Sequence, residues 1–192
     1  MAEPSRRRLL GLSLLVFGVG AGGFLLGQAF TPRTPLPLKS PGQDGSTVNA
    51  TTRLVRLFFA DPNADKLEAE ERTIPRAASF VGEAKRTMAE LIKGPQNGLK
   101  PTIPPGVKLR QLYIDGRGTA YVDFTRDLQT KHPGGSGAEL LTIYSIVDTL
   151  TANFDQIQRV KILVEGAEIL TLAGHIDTRH PFSPRYSLGG VR

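Results

Sequence analysis

His175-x-Asp177-x-x-His180 places two imidazoles and a carboxylate within six residues, a donor set that suits zinc. Ligands must converge on one point, and this stretch lies in a C-terminal segment followed by Pro181 and Pro184. We therefore read both histidines as exposed tail residues and expect no metal and no other cofactor. His132 reads as a loop residue. Gly134-Gly-Ser-Gly137 precedes a helix and can offer backbone N–H groups to an anion, but the loop lacks the Walker lysine and a G-x-G-x-x-G spacing. Ser136 with Glu139 three residues on matches a capping box, and no G-x-S-x-G elbow surrounds it. Paired carboxylates, Glu70 with Glu71 and Asp123 with Asp127, have the right type for acid–base work on a glycan. Charge on a solvated face is the commoner origin of such pairs. The chain has no cysteine, which excludes disulfides, thiolate nucleophiles, Cys-based metal sites and a lipid-modified cysteine. Nothing in this inventory assembles a catalytic set, and the expectation is a protein that is not an enzyme.

The elements that would carry these residues begin outside any globular domain. Leu9–Phe30 is an apolar run of 22 residues without a charge, directly preceded by Arg6-Arg7-Arg8. As a helix it would be about 33 Å long, enough to cross a hydrocarbon core of roughly 30 Å. The arginines keep the short N-terminus, residues 1–8, in the cytoplasm and place everything after Phe30 outside. Gly27-Gln28-Ala29 offers an alternative, cleavage as a signal peptide, although the run exceeds the roughly 7–15 residues of an ordinary signal core. Both readings export the remainder. Gly18-x-x-x-Gly22 and Gly23-x-x-x-Gly27 fit close packing of membrane helices and would let the chain associate with itself.

Residues 31–52 hold Pro32, Pro35, Pro37 and Pro41 among small polar residues and read as a tether, reaching up to about 60 Å when extended. Five of the 24 basic and two of the 18 acidic residues precede position 50, so the exported part carries only about +3. Its signs are interspersed, with no basic stripe, and nucleic acid is not expected as a partner.

From Arg53 about 140 residues remain, the size of one domain. Arg53–Phe59 reads as a strand closed by Asp61-Pro62-Asn63, and 67–74 as a possible short strand. Ala77–Lys93 is an amphipathic helix with Val81, Ala84, Met88 and Leu91 on one face, stopped by Gly94-Pro95. A proline-rich loop, 99–106, leads to two strands, 108–115 and 119–124, joined through Gly116-Arg117-Gly118. A second helix follows Ser136, with Leu140, Ile143, Val147, Leu150 and Phe154 on one face. Val160–Val164 is a buried strand, and 168–172 is a further candidate. The economical packing is α+β: a βαββαβ-type single sheet with two helices on one face.

Several segments together carry a family resemblance. Leu57-Phe-Phe-Ala-Asp61, Glu70-Glu-Arg72, Leu91-Ile-Lys-Gly-Pro95, Ile103-Pro-Pro-Gly106, Gly118-Thr-Ala-Tyr-Val-Asp-Phe124, Gly135-Ser-Gly-Ala-Glu139, Ile146-Val-Asp-Thr-Leu150 and Val160-Lys-Ile-Leu-Val-Glu-Gly166 occur in order. Over residues 53–185 the chain resembles the GerMN domain, an extracytoplasmic module named from sporulation and spore-germination proteins. The resemblance implies a fold related to ring-building modules of envelope secretion assemblies, and no catalytic residues. Many members carry lipid anchors or repeat the domain, whereas this chain shows one copy behind a membrane anchor. The expected whole is a single-pass protein of the bacterial inner membrane, its domain outside the cytoplasm and residues 186–192 a tail. Its expected role is non-catalytic assembly or scaffolding, with envelope proteins or a second copy as partners. Peptidoglycan or another glycan is the alternative, and a metal-dependent hydrolase around His175 and His180 is the third. The candidate interaction residues are Glu71, Arg72, Asp123 and Glu139.

Overall fold

Two nine-residue strands with complementary patterns open the domain. In the computed structural model, which describes residues 51–63 and 65–185, β1 (Thr52–Ala60) pairs antiparallel with β2 (Leu67–Pro75) along its full length. Val55, Leu57 and Phe59 on β1 lie opposite Arg72, Glu70 and Glu68, so charged side chains share the face that meets the helices. Helix α1 (Phe80–Lys93) starts later than its periodicity suggested because Ser79 caps it, its side chain accepting from the Gly82 N–H at 3.1 Å. Ala84, Met88 and Leu91 are fully buried. Gly94, at φ 88°, ends the helix, and its N–H donates to the Leu91 carbonyl.

The other strands make a second sheet in the order β3 (Leu109–Ile114), β4 (Thr119–Phe124), β5 (Arg159–Val164), β6 (Ala167–Glu168). β3 and β4 are antiparallel, and β4 and β5 are parallel. The parallel pair requires a crossover, which α2 (Asp127–Thr130) and α3 (Ser136–Asn153) supply. Leu112, Val122 and Ile162 stand opposite one another in register and are buried, so this pleat is the core face. Between β3 and β4, Asp115 accepts from the Arg117 and Thr119 N–H groups, and Gly118 takes φ 75°. A Cβ there would stand 2.9 Å from the Gln156 carbonyl oxygen, which only glycine avoids.

The sheet is thus divided, not single as expected. The reason is α3, whose side chains occupy the free edge of β1. Thr149 Oγ1 accepts from the Phe58 N–H, and the Asn153 side-chain amide both accepts from and donates to the Arg56 backbone. No strand can add where those groups are already satisfied. α3 is buried almost all round from Thr142 to Thr151, not along one stripe. Its interior polar residues are bonded accordingly: Thr142 donates to the Thr102 carbonyl and Ser145 shares a hydrogen bond with the Thr102 hydroxyl. The expected capping box does not form; Gly135, at φ 84°, is the N-cap and makes no side-chain bond. The stretch 67–74 is a full strand, whereas the candidate at 168–172 contributes only Ala167–Glu168 to the sheet. No helix among the described residues is long and apolar enough to cross a membrane. The run Leu9–Phe30, nearly all of the tether and the tail 186–192 lie outside the described residues.

Candidate functional site

The structure places three of the four expected interaction residues inside the domain, each fastening a loop. Arg72 donates to the Glu90 and Gly94 carbonyls, orphan acceptors at the end of α1, and pairs with Glu70 and Glu90. Glu70 also accepts from the Gln96 N–H at 2.7 Å. The acidic-arginine segment of β2 therefore caps the Gly-Pro end of α1. Asp123 pairs with Arg110 at 2.7 Å and accepts from the Gly166 N–H at 2.8 Å, which holds the β5–β6 turn.

Glu139 is fully buried and accepts from the backbone N–H groups of Leu172, Ala173 and His175, all at 2.9 Å. Burial alone would raise its pKa, but these N–H donors together outweigh it and hold the carboxyl below its usual range. Glu139 thereby pins the 170–178 loop, closed by the Thr171–Asp177 bridge, to the first turn of α3. Of the four, only Glu71 is exposed.

The other chemical candidates are dispersed. Asp177 forms a two-pronged pair with Arg179, whose hydrogen bonds hold its carboxyl well below the ordinary range. His175 Nδ1 lies 3.3 Å from Glu139, and His180 is exposed. His132 bonds Thr142 at 3.0 Å, and burial depresses its pKa. Glu70 and Glu71 point to opposite faces of β2, and Asp127 pairs with Lys131. Among the described residues no group of three or more His, Cys, Asp or Glu is placed to hold a metal ion.

The surface offers a different kind of site. A groove of about 400 Å³ runs between the proline-rich loop after α1 and the start of α3. Pro101, Ile103, Pro104, Pro133 and Leu141 wall it, with Lys100 and Lys131 at its margins. A second, polar hollow of about 360 Å³ adjoins it across Ala60, Lys100 and Leu141 and is bordered by Asp61 and Asp65. The walls are rigid for local reasons: proline fixes its own backbone, and Lys100 pairs with Ala60 through two backbone hydrogen bonds. The loop carries the Ile-Pro-Pro-Gly segment, so its position was legible in the sequence; the groove was not, because Leu141 and Thr142 reach it from a distant helix. On the four-stranded sheet Tyr113 and Tyr121 stack face to face, 4.6 Å apart and 4° from parallel, with Tyr113 half exposed.

Sequence reasoning also missed Asp148. It is fully buried in α3; one carboxylate oxygen accepts from the Arg185 N–H at 3.0 Å and the other has no partner. Burial pushes its pKa up to about 6. It lies within the Ile146–Leu150 segment of the family resemblance, but nothing in the helical pattern marks it as buried, since a single Asp on a helix ordinarily faces water.

A strand hairpin, two main helices and a four-stranded sheet, with signature charges fastening the loops, define an α+β module in which those charges serve the fold. The chain belongs to the family described as Germane, sporulation and spore germination, whose sequence profile matches residues 56–170. Among solved structures it is similar to the tandem GerMN domains of the sporulation protein GerM from Bacillus subtilis, at 22% identity and a TM-score of 0.57. The match covers 69% of this chain and 46% of that one, so it spans about half of the tandem protein. The first GerMN domain of the same protein matches at 21% identity and a TM-score of 0.52, covering 69% of this chain and 98% of that one. At these identities the likeness is one of fold. No curated protein sequence matches the chain.

Proposed function

We propose that this chain is a single-pass protein of the bacterial inner membrane whose exported GerMN domain docks other envelope proteins without catalysing a reaction. The observation that carries the reading is the open, proline-walled groove. Its lining is apolar apart from threonines and two lysines, which gives it the character of a recognition surface. The anchor is supported by the Leu9–Phe30 run and its arginine flank, and the tether would set the domain's distance from the bilayer. Small-residue spacings in the anchor support association with a second copy.

Cross-linking the full-length protein in its membrane, followed by purification and identification of the adducts, tests this. A self-adduct ladder or one abundant envelope protein is the expected result; recovery of wall fragments with no protein adduct would overturn it. Glycan binding is the second reading, favoured by the half-exposed Tyr113 of the Tyr113–Tyr121 stack, since sugar rings pack on aromatic faces. Its test is co-sedimentation with purified peptidoglycan, compared between the wild-type chain and Tyr113→Ala.

A further inference from the structure

We propose that the groove binds an extended segment of a partner protein that carries an apolar side chain next to an acidic one. This rests on the docking reading and specifies the chemistry of the partner. The proline-walled compartment is apolar, with a volume of about 400 Å³ that accommodates an apolar side chain, and its loop wall is tied to β1 by the Ala60–Lys100 backbone pair. Lys100 stands where this compartment meets the polar hollow. Its ammonium donates to the Pro62 carbonyl at 3.0 Å and, among the described residues, has no carboxylate within ion-pair distance. Lys131, at the other margin, is already paired with Asp127.

The groove therefore presents, beside an apolar trough, a lysine that among the described residues is in no ion pair, which a carboxylate on an inserted segment would complement. Beyond Lys100 the hollow turns acidic, with Asp61 held by Lys66 and Asp65 exposed. A second acidic residue on that side would be repelled. The recognised pattern is thus one carboxylate at the junction, not an acidic run.

The test pans a random twelve-residue phage-displayed peptide library against the full-length chain in detergent micelles, then measures the most enriched peptide as a synthetic probe. Enriched sequences should share an apolar residue with Asp or Glu close by. Lys100→Glu should weaken the probe at least tenfold and, when panned afresh, favour Lys or Arg. Ala138→Arg, which inserts a long side chain into the groove from α3, should weaken it comparably. Lys100 is exposed and off the core, so its variant decides the matter even if Ala138→Arg does not fold. No enrichment over empty micelles, enrichment indifferent to acidity, or unchanged affinity in Lys100→Glu would overturn the assignment. Cross-linked protein adducts that survive both substitutions would leave docking standing and remove the groove. Loss of protein adducts from the wild-type chain would remove the docking reading itself.

Discussion

Asp148→Asn isolates the cost of one buried charge. In the folded chain the carboxyl has a pKa of about 6 against an ordinary value of 3.8, because burial opposes the charged form and one oxygen has no partner. A raised folded-state pKa means that the native state holds the proton more tightly than the unfolded one. The associated stability is present below pH 3.8 and is lost as pH rises through about 6. The difference of about 2.2 units corresponds to about 3 kcal/mol over the full range, of which about 2 kcal/mol is regained between pH 8 and pH 4.5. Asn cannot titrate, so its variant lacks this gain. The Asn amide adds a buried donor that can cost about 1–3 kcal/mol, so the pH slope of the difference, not its offset, is diagnostic. Urea unfolding of both proteins in half-unit pH steps measures it, and titrations of shared groups cancel. The wild-type protein should gain about 2 kcal/mol on the variant between pH 8 and pH 4.5. A difference independent of pH would refute the argument.

Glu139→Gln should destabilise the domain by about 2–4 kcal/mol at pH 7, because charge-assisted bonds to three backbone amides weaken together. The depressed pKa of Glu139 makes that loss shrink as pH falls through the folded value, and amide exchange at Leu172, Ala173 and His175 should accelerate in the variant. Arg72→Met leaves Glu70 buried without its partner and uncaps α1, with an expected cost of about 3–5 kcal/mol in denaturant unfolding; a cost under 1 kcal/mol would contradict the clamp. Gly118→Ala should cost at least about 1 kcal/mol in thermal unfolding, since it meets both a positive φ and a carbonyl oxygen at 2.9 Å. Glu71→Lys, on an exposed position, should shift stability by no more than about 0.5 kcal/mol.

Much of the fold could be read from periodicity and punctuation. Helix α1 follows from the spacing of Ala84, Met88 and Leu91 and from its Gly94 stop, and the β3–β4 turn follows from its two glycines. What could not be read is tertiary in origin. The division into two sheets depends on Thr149 and Asn153 meeting the edge of β1, almost a hundred residues away in sequence. Glu139 looked like a local cap because Ser136 precedes it by three; its partners lie more than thirty residues downstream. Arg72 and Asp123 looked like surface charges because a strand pattern does not reveal that a helix end or a turn will close over them. The groove was not legible: the Pro-rich loop could be placed, but Leu141 and Ala138 join it only through the packing of α3.

In the reading proposed above, Arg72, Asp123 and Glu139 hold loops of the fold, and docking falls to the proline-walled groove. The decisive comparison sets a photo-reactive residue at Pro105, on the groove, against one at Gln156, beyond the far end of α3, in the full-length chain expressed in a bacterial host. Pro105 lines the groove beside the first turns of α3, whereas Gln156 follows the C-terminal end of that 18-residue helix. A discrete protein adduct is expected from Pro105 and none of equal yield from Gln156. Equal adducts from both positions, or an adduct from Gln156 alone, would contradict that reading.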